Sequence, residues 1–140
     1  MGRILDDLAI YINTQSSVFT IGGLLSKGFL PDSPSTVVAL IETYGFDPPI
    51  PTFGASGSYN WERPQIQVLS RGPKNDYQTA RTNAETVHKI LRNVYNTSTG
   101  INGTKYYMIK PRSSPYYQGE DDNSRHIISF TVDVFKDPSS

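Results

Sequence analysis

The chain has 140 residues, with 13 basic and 13 acidic side chains and no cysteine. This length predicts a single domain over residues 1–140 with one modest hydrophobic core. The absence of cysteine excludes a disulfide scaffold, a thiolate nucleophile and a cysteine zinc site. The balanced charge argues against a protein that wraps DNA, since phosphate binding needs a surplus of lysine and arginine. The longest apolar run, residues 37–41, is too short to cross a bilayer, which needs about 20 residues.

The first third of the chain predicts one helix and one central strand. Apolar residues at helical spacing predict an amphipathic helix over residues 3–14. A short strand or irregular extended piece follows at 24–30, and the composition of 31–34 is typical of a turn. Residues 36–44 are rich in β-branched side chains and almost continuously apolar, which predicts a strand that is buried on both faces and central in its sheet.

A long connection then runs over residues 46–63. Prolines 48, 49 and 51 exclude a helix or a central strand there. A structureless loop of this length in a compact domain is usually functional or mobile. Four aromatic residues decorate it, and they pack either on the domain's own core or on another chain.

The strongest periodic signal in the chain comes next. Residues 64–71 alternate between apolar and polar, which predicts a half-exposed strand that the Gly-Pro pair at 72–73 ends. Asn75 and Gln78 form a candidate capping box. Residues 76–95 then predict a helix with a narrow apolar stripe, in which two alanines permit close approach to a sheet.

The last third predicts two or three antiparallel strands. Residues 104–111 and 128–134 are strands by pattern, 116–117 belong to another short strand, and 119–124 are typical of a hairpin tip. If the tyrosine pairs at 106–107 and 116–117 lie in adjacent strands, they present phenols on both sheet faces. The predicted fold class is α+β, with a single mixed, mainly antiparallel sheet and two main helices packed on it.

No motif in the chain carries catalytic chemistry. His88 and His126 have no second ligand at metal spacing, and Ser56 lacks the surroundings of a nucleophile elbow. The acidic run 120–124 lacks the spacing of an EF-hand, and 100–105 is too short for a phosphate-binding loop. We therefore expect no enzyme activity, no cofactor and no metal.

Charge and aromatic content favour protein contacts instead. Arg81, Lys89 and Arg92 share the outer side of the long helix with Glu85, which is typical of a solvated face. The nine tyrosines suit protein interfaces, because each has an apolar body and a polar tip. A chain without catalytic groups but with many tyrosines and proline-rich loops is expected to contact other chains.

Several stretches together resemble a known family. They are residues 29–34 (FLPDSP), 42–45 (ETYG), 47–49 (DPP), 64–68 (PQIQV), 115–121 (PYYQGED) and 130–134 (FTVDV). Over residues 4–136, this combination resembles the tail-terminator or small minor capsid proteins of long-tailed bacteriophages. These motifs are structural and carry no catalytic signature.

The resemblance implies a structural role in the virion. Such proteins are α+β subunits that form a ring, usually a hexamer, which caps the tail tube, stops its elongation and offers a surface to the head. The implied partners are other copies of the chain, the major tail tube protein and a head-completion or connector protein, with no membrane. DNA is expected to pass through the lumen without specific binding. The implied location is the head-proximal end of the tail, after assembly in the host cytoplasm.

The family offers no matched functional residue, so the interaction residues are inferred from chemistry. They are Phe46, Pro48, Pro49, Phe53, Tyr59, Trp61, Tyr116 and Tyr117. The acids Glu120, Asp121 and Asp122 are candidates to face the lumen, where they would not grip phosphates. Segment 46–61 is expected to become ordered on assembly.

Two alternative functions remain open at this point. One is a head-completion or head-tail connector protein, which would bind the portal side rather than the tail tube. The other is a non-viral soluble protein-binding adaptor, which would stay monomeric at all concentrations.

Overall fold

The computed structural model describes residues 4–43, 50–51, 60–61, 63–95 and 105–136. The described residues form two helices and eight strands. In chain order these are α1 (Ile4–Gln15), β1 (Leu25–Lys27), β2 (Val37–Glu42), β3 (Ile50–Pro51), β4 (Asn60–Trp61), β5 (Gln65–Lys74), α2 (Tyr77–Arg92), β6 (Tyr106–Pro111), β7 (Tyr116–Glu120) and β8 (Arg125–Lys136).

The main sheet is mixed and mainly antiparallel. Its order is β1-β2-β5-β8, with both β6 and β7 on the far side of β8. Only β1 and β2 pair in parallel, and the other pairs are antiparallel. The predicted α+β class is therefore confirmed.

Strands β6 and β7 share one edge of β8 end to end. β6 pairs with residues 132–136 of β8, and β7 pairs with residues 126–129. The expectation that the two tyrosine pairs lie in adjacent strands is therefore wrong: the strand that β6 and β7 have in common is β8. The 12 residues of β8 are long enough to carry two short partners, which the shorter predicted strand at 128–134 did not allow.

The central position of β2 is confirmed. It lies between β1 and β5, and Val37, Val38, Ala39 and Leu40 are all fully buried. A strand with neighbours on both sides and little access to water requires apolar residues in succession rather than in alternation. The apolar run at this point of the sequence meets that requirement.

Both helices pack on the same face of the sheet. Their apolar residues join the inward residues of β2, β5, β6 and β8 in one cluster, which includes Leu8, Ile12, Val87, Leu91, Val38, Leu40, Ile66, Val68, Phe130, Val132 and Val134. A smaller cluster joins Ala80 and Ala84 of α2 to Ile128 of β8. Because both α2 residues are alanines, the helix approaches the sheet closely, as the sequence predicted.

Two predicted boundaries around α2 are wrong. Strand β5 continues through Gly72 and Pro73 to Lys74, because the register shifts there and the missing proline N–H falls at an irregularity of the ladder. The helix cap is Asp76 and not Asn75. Asn75 has a φ of +59°, whereas Asp76 accepts hydrogen bonds from Thr79 at both carboxylate oxygens.

The long connection between β2 and β5 contains more regular structure than the sequence predicted. Strands β3 and β4 pair with each other, Ile50 opposite Trp61 and Pro51 opposite Asn60, in a two-stranded sheet separate from the main one. The prolines exclude a central strand, and a separate pair of short strands respects that constraint. The remaining predictions for residues 44–49, 52–59 and 62 lie outside the described residues.

Candidate functional site

Strand β7 forms an exposed edge of the main sheet. It pairs with β8 on one side, and in the part of the chain that the structure describes no strand pairs with its other side. Tyr116 and Tyr117 are 47% and 48% exposed. An unpaired edge offers backbone N–H and C=O groups to another chain, so β7 combines a hydrogen-bonding edge with two accessible aromatic side chains.

A small aromatic cluster, the tyrosine cluster of Tyr77 and Tyr117, lies at this edge on the face that carries the helices. Tyr116 precedes Tyr117 in the strand and points to the opposite face. The ring centroids of Tyr77 and Tyr117 lie 6.1 Å apart, and the Tyr117 ring lies 5.6 Å from that of His126. The Tyr117 hydroxyl is 3.0 Å from Nδ1 of His126. These contacts hold Tyr117 in place while almost half of its surface stays accessible, which is the arrangement expected of an interface anchor.

Two buried arginines hold the loop of residues 31–35, and we call them the arginine clamp. Arg71 of β5 is 2% exposed and donates hydrogen bonds to the carbonyl oxygens of Pro31, Pro34 (2.8 Å) and Ser35 (2.9 Å). Its pKa is lowered by burial and then by the positive charge of Arg125. One guanidinium group therefore fixes three carbonyl groups of this short loop against the sheet.

Arg125 of β8 ties the same loop to the β7–β8 turn. It donates to the Asp32 carbonyl at 2.7 Å and to the carboxylates of Asp32 and Asp121, each at 2.8 Å. The hydrogen bond with Asp32 is the largest of the effects that raise the pKa of Arg125. Sequence reasoning gave Arg71 and Arg125 no role, because the loop of residues 31–35 that they hold is distant from both of them in the sequence.

The three acids at the hairpin tip do not behave alike. Glu120 and Asp122 are exposed, whereas the Asp121 carboxylate accepts hydrogen bonds from the backbone of Asn123 and from both the backbone and the side chain of Arg125. Burial acts to raise the pKa of Asp121, but these hydrogen bonds prevail and lower it. Asp121 therefore organises its own turn, and two carboxylates remain accessible.

Most of the aromatic segment inferred from the sequence falls outside the part of the chain that the structure describes. Phe46, Pro48, Pro49, Phe53 and Tyr59 lie outside the described residues. For Trp61 the backbone belongs to β4, opposite Ile50.

Comparison with known proteins gives this surface a context. A family model described as bacteriophage tail terminator protein matches residues 11–134. The chain belongs to the bacteriophage tail terminator family. Tail terminators are structural proteins of the virion, and the resemblance read from the sequence is confirmed.

A solved structure shares the fold of this tail terminator. It is a chain of a structure described as the virion of native gene transfer agent (GTA) particle, with a TM-score of 0.60 and 11% sequence identity. The match covers 94% of each of the two chains. A search of curated proteins gave no match.

The two histidines of the tail terminator lie in separate environments. His88 of α2 packs edge-on against Phe130, with ring centroids 5.0 Å apart, and its Nε2 lies 3.2 Å from the carbonyl oxygen of Ser113. Burial lowers the pKa of His88. His126 instead contacts Tyr77 and Tyr117. Each imidazole has a packing role.

The described ranges also bear on metal binding and on membrane spanning. Among those residues, no group of three or more His, Asp or Glu side chains could hold a metal ion. No helix in that part of the chain is long and apolar enough to span a bilayer.

Proposed function

We propose that the chain assembles into a ring of six copies. This ring caps the tail tube, stops its elongation and provides the surface for head joining. The observation that carries this proposal is the family match over residues 11–134. The exposed β7 edge and its tyrosines support it, since a closed ring needs each subunit to offer contacts to two neighbours.

The proposed partners follow from that position in the virion. Other copies of the chain form the ring, the major tail tube protein binds one side of it, and a head-completion or connector protein binds the other. The whole chain acts as one domain at the head-proximal end of the tail, and its role is structural rather than enzymatic. Residues 46–61 become ordered when the partners bind and contribute aromatic contacts to them.

DNA passes through the ring without being held, and the accessible acids of the hairpin tip face the lumen. Glu120 and Asp122 are the carboxylates free for this purpose, since Asp121 engages Arg125. Negative charge repels phosphate and prevents tight binding during ejection. Changing Glu120 and Asp122 to lysine should slow DNA ejection from assembled particles, while Lys89→Glu on the outer side of α2 serves as a charge-changing control. An unchanged ejection rate in the lysine variant would remove this assignment.

Electron microscopy of the purified protein, alone and with tail-tube subunits, tests the main proposal. We expect closed rings and tubes that carry one ring at a single end. Tube length should stop increasing when the protein is added to growing tubes, and an equal amount of an unrelated globular protein should leave growth unaffected. Binding to portal complexes but not to tubes would instead identify a head-completion protein, and a monomer that binds neither would identify an adaptor.

A further inference from the structure

The opposite edge of the main sheet carries an apolar groove. It lies beside β1, between the turn at residues 21–23 and the loop at 29–34, and has a volume of about 330 Å³. Leu25, Pro31 and Pro34 contribute to its lining, together with Phe29 and Ile21, which are 61% and 46% exposed. Such large apolar side chains at an accessible, concave position favour contact with another protein.

The groove is already shaped before any partner arrives. The arginine clamp of Arg71 and Arg125 fixes the backbone of residues 31–35, and Pro31, Ser33 and Pro34 of this loop line the groove. A wall that is held by several charge-assisted hydrogen bonds loses little entropy when a partner binds.

The chemistry of the groove selects an uncharged, aromatic occupant. Of the described residues that line it, Lys27 alone is charged, and its ammonium group forms an ion pair with Asp6 at 2.7 Å. No charge is left over to recruit an acidic or basic peptide. Proline and aliphatic walls instead suit flat aromatic rings such as those of tyrosine.

We propose that this groove receives the tyrosine cluster of a second copy of the chain, so that the β1 edge of one subunit meets the β7 edge of the next. The two surfaces lie at opposite edges of one sheet. A contact between two different surfaces of identical subunits is heterologous, and it closes into a ring when the rotation between subunits allows. The inference rests on the proposed ring function and adds to it which surfaces meet.

A contact of this size is too small to hold a stable dimer by itself. An aromatic side chain can bury about 150–250 Å², and each tyrosine of the cluster is between 43% and 48% exposed. Two such residues provide on the order of 200 Å², well below the ~800 Å² that each partner gives to a standard interface. One contact alone is therefore weak, whereas ring closure gives every subunit two contacts. We expect monomers and complete rings, with few open intermediates.

Cross-linking in this cysteine-free chain tests the pairing directly. Ser33→Cys places a thiol in the groove wall, and Gln118→Cys places one on β7, without removing Phe29 or the tyrosines. With a short bis-maleimide, a mixture of the two variants should give covalent dimers, while neither variant should cross-link to itself. The double variant should give a ladder that ends at the closed ring. Lys89→Cys on the outer side of α2, mixed with Ser33→Cys, is the matched control.

The outcomes separate this inference from the function on which it rests. Rings that form while the mixture cross-links no better than the Lys89→Cys control would overturn the pairing and leave the ring intact. Self-cross-linking of a single variant would show a two-fold contact between like edges and would also overturn it. No rings, either alone or on tail tubes, would overturn both proposals.

Alanine variants give a second and independent measurement. Tyr117→Ala and Phe29→Ala should each raise the protein concentration for half-maximal ring formation about tenfold or more, because each removes an interface anchor. Tyr95→Ala, at a tyrosine that is 77% exposed beside β6, should leave that concentration within about twofold of the unaltered protein. Far-ultraviolet circular dichroism should show that all three variants fold. Equal effects of the three substitutions would contradict the assigned surfaces.

Discussion

Replacing Tyr106 with phenylalanine should destabilise the fold by about 1–3 kcal/mol, the cost of removing a partner from a buried polar group. The Tyr106 hydroxyl donates a 2.6 Å hydrogen bond to the Asp7 carboxyl, and both residues are 0% exposed. This bond joins α1 to β6 through two residues that lie 99 positions apart in the chain. The aromatic ring stays in the core of the variant, so the loss reports the hydrogen bond rather than apolar burial.

Equilibrium unfolding in urea, with unchanged dependence on denaturant, measures this free energy. The midpoint of thermal unfolding should fall by roughly 3–12 °C in a domain of this size. Tyr117→Phe is the matched control, because its hydroxyl lies at the exposed edge, and it should change stability by less than about 0.5 kcal/mol. If Tyr106→Phe and Tyr117→Phe lower the free energy of unfolding equally, the buried hydrogen bond does not contribute the expected stability.

Three further predictions concern α2 and its contacts. Gly72→Ala should cost about 1–3 kcal/mol in urea unfolding, because an added Cβ would lie 2.6 Å from the backbone oxygen of Asp76. His88 has a lowered pKa from burial beside Phe130, so its contribution to stability is present above about pH 6.5 and is lost as the pH falls through the folded-state pKa. Between pH 7.5 and 5, the free energy of unfolding of the His88→Gln variant should therefore fall less than that of the unaltered protein. The hydrogen bond from the Thr79 hydroxyl lowers the pKa of Asp76, so the contribution of Asp76 to stability is present above about pH 3.9 and is lost at lower pH. The midpoint of thermal unfolding of Asp76→Asn should lack this dependence on acid.

Much of the fold could be predicted because its signals are local. The apolar stripe of α2 and the alternation along β8 each reflect one face against the core, so periodicity alone locates them. The uninterrupted apolar run of β2 likewise reflects neighbours on both sides. These patterns depend only on which face of an element is buried.

The features that sequence reasoning missed depend on distant partners. Gly72 and Pro73 normally end a strand, yet β5 continues because β8 remains paired with it as far as Lys74. Arg71 and Arg125 look like solvated charges until the fold brings residues 31–35 over them. A pattern along one segment contains no information about a loop that crosses to it from elsewhere in the chain.

The candidate site divides in the same way. The sequence proposes Tyr116 and Tyr117 as interaction residues from their chemistry alone, because a tyrosine has an apolar body and a polar tip, and the structure adds that both are about half exposed. The groove at the opposite edge could not be predicted, since its walls come from a turn and a loop on either side of β1. Phe29 belonged to the stretch that carried the family resemblance, but its exposure is a property of the folded chain.

The distribution of polar groups favours the two sheet edges over the face opposite the helices as sites for subunit contacts. On that face the side chains already pair with one another: Gln67 donates to Ser129, and Gln65 and Arg112 both donate to Asp133. A partner covering them would have to displace water from groups that gain no new hydrogen bonds, which costs free energy without compensation. The β7 edge instead presents backbone groups that no strand of the described residues pairs, and the groove beside β1 presents apolar surface. A ring built through these two edges needs no contact to the polar face, so the side chains of that face keep the hydrogen bonds that they already make.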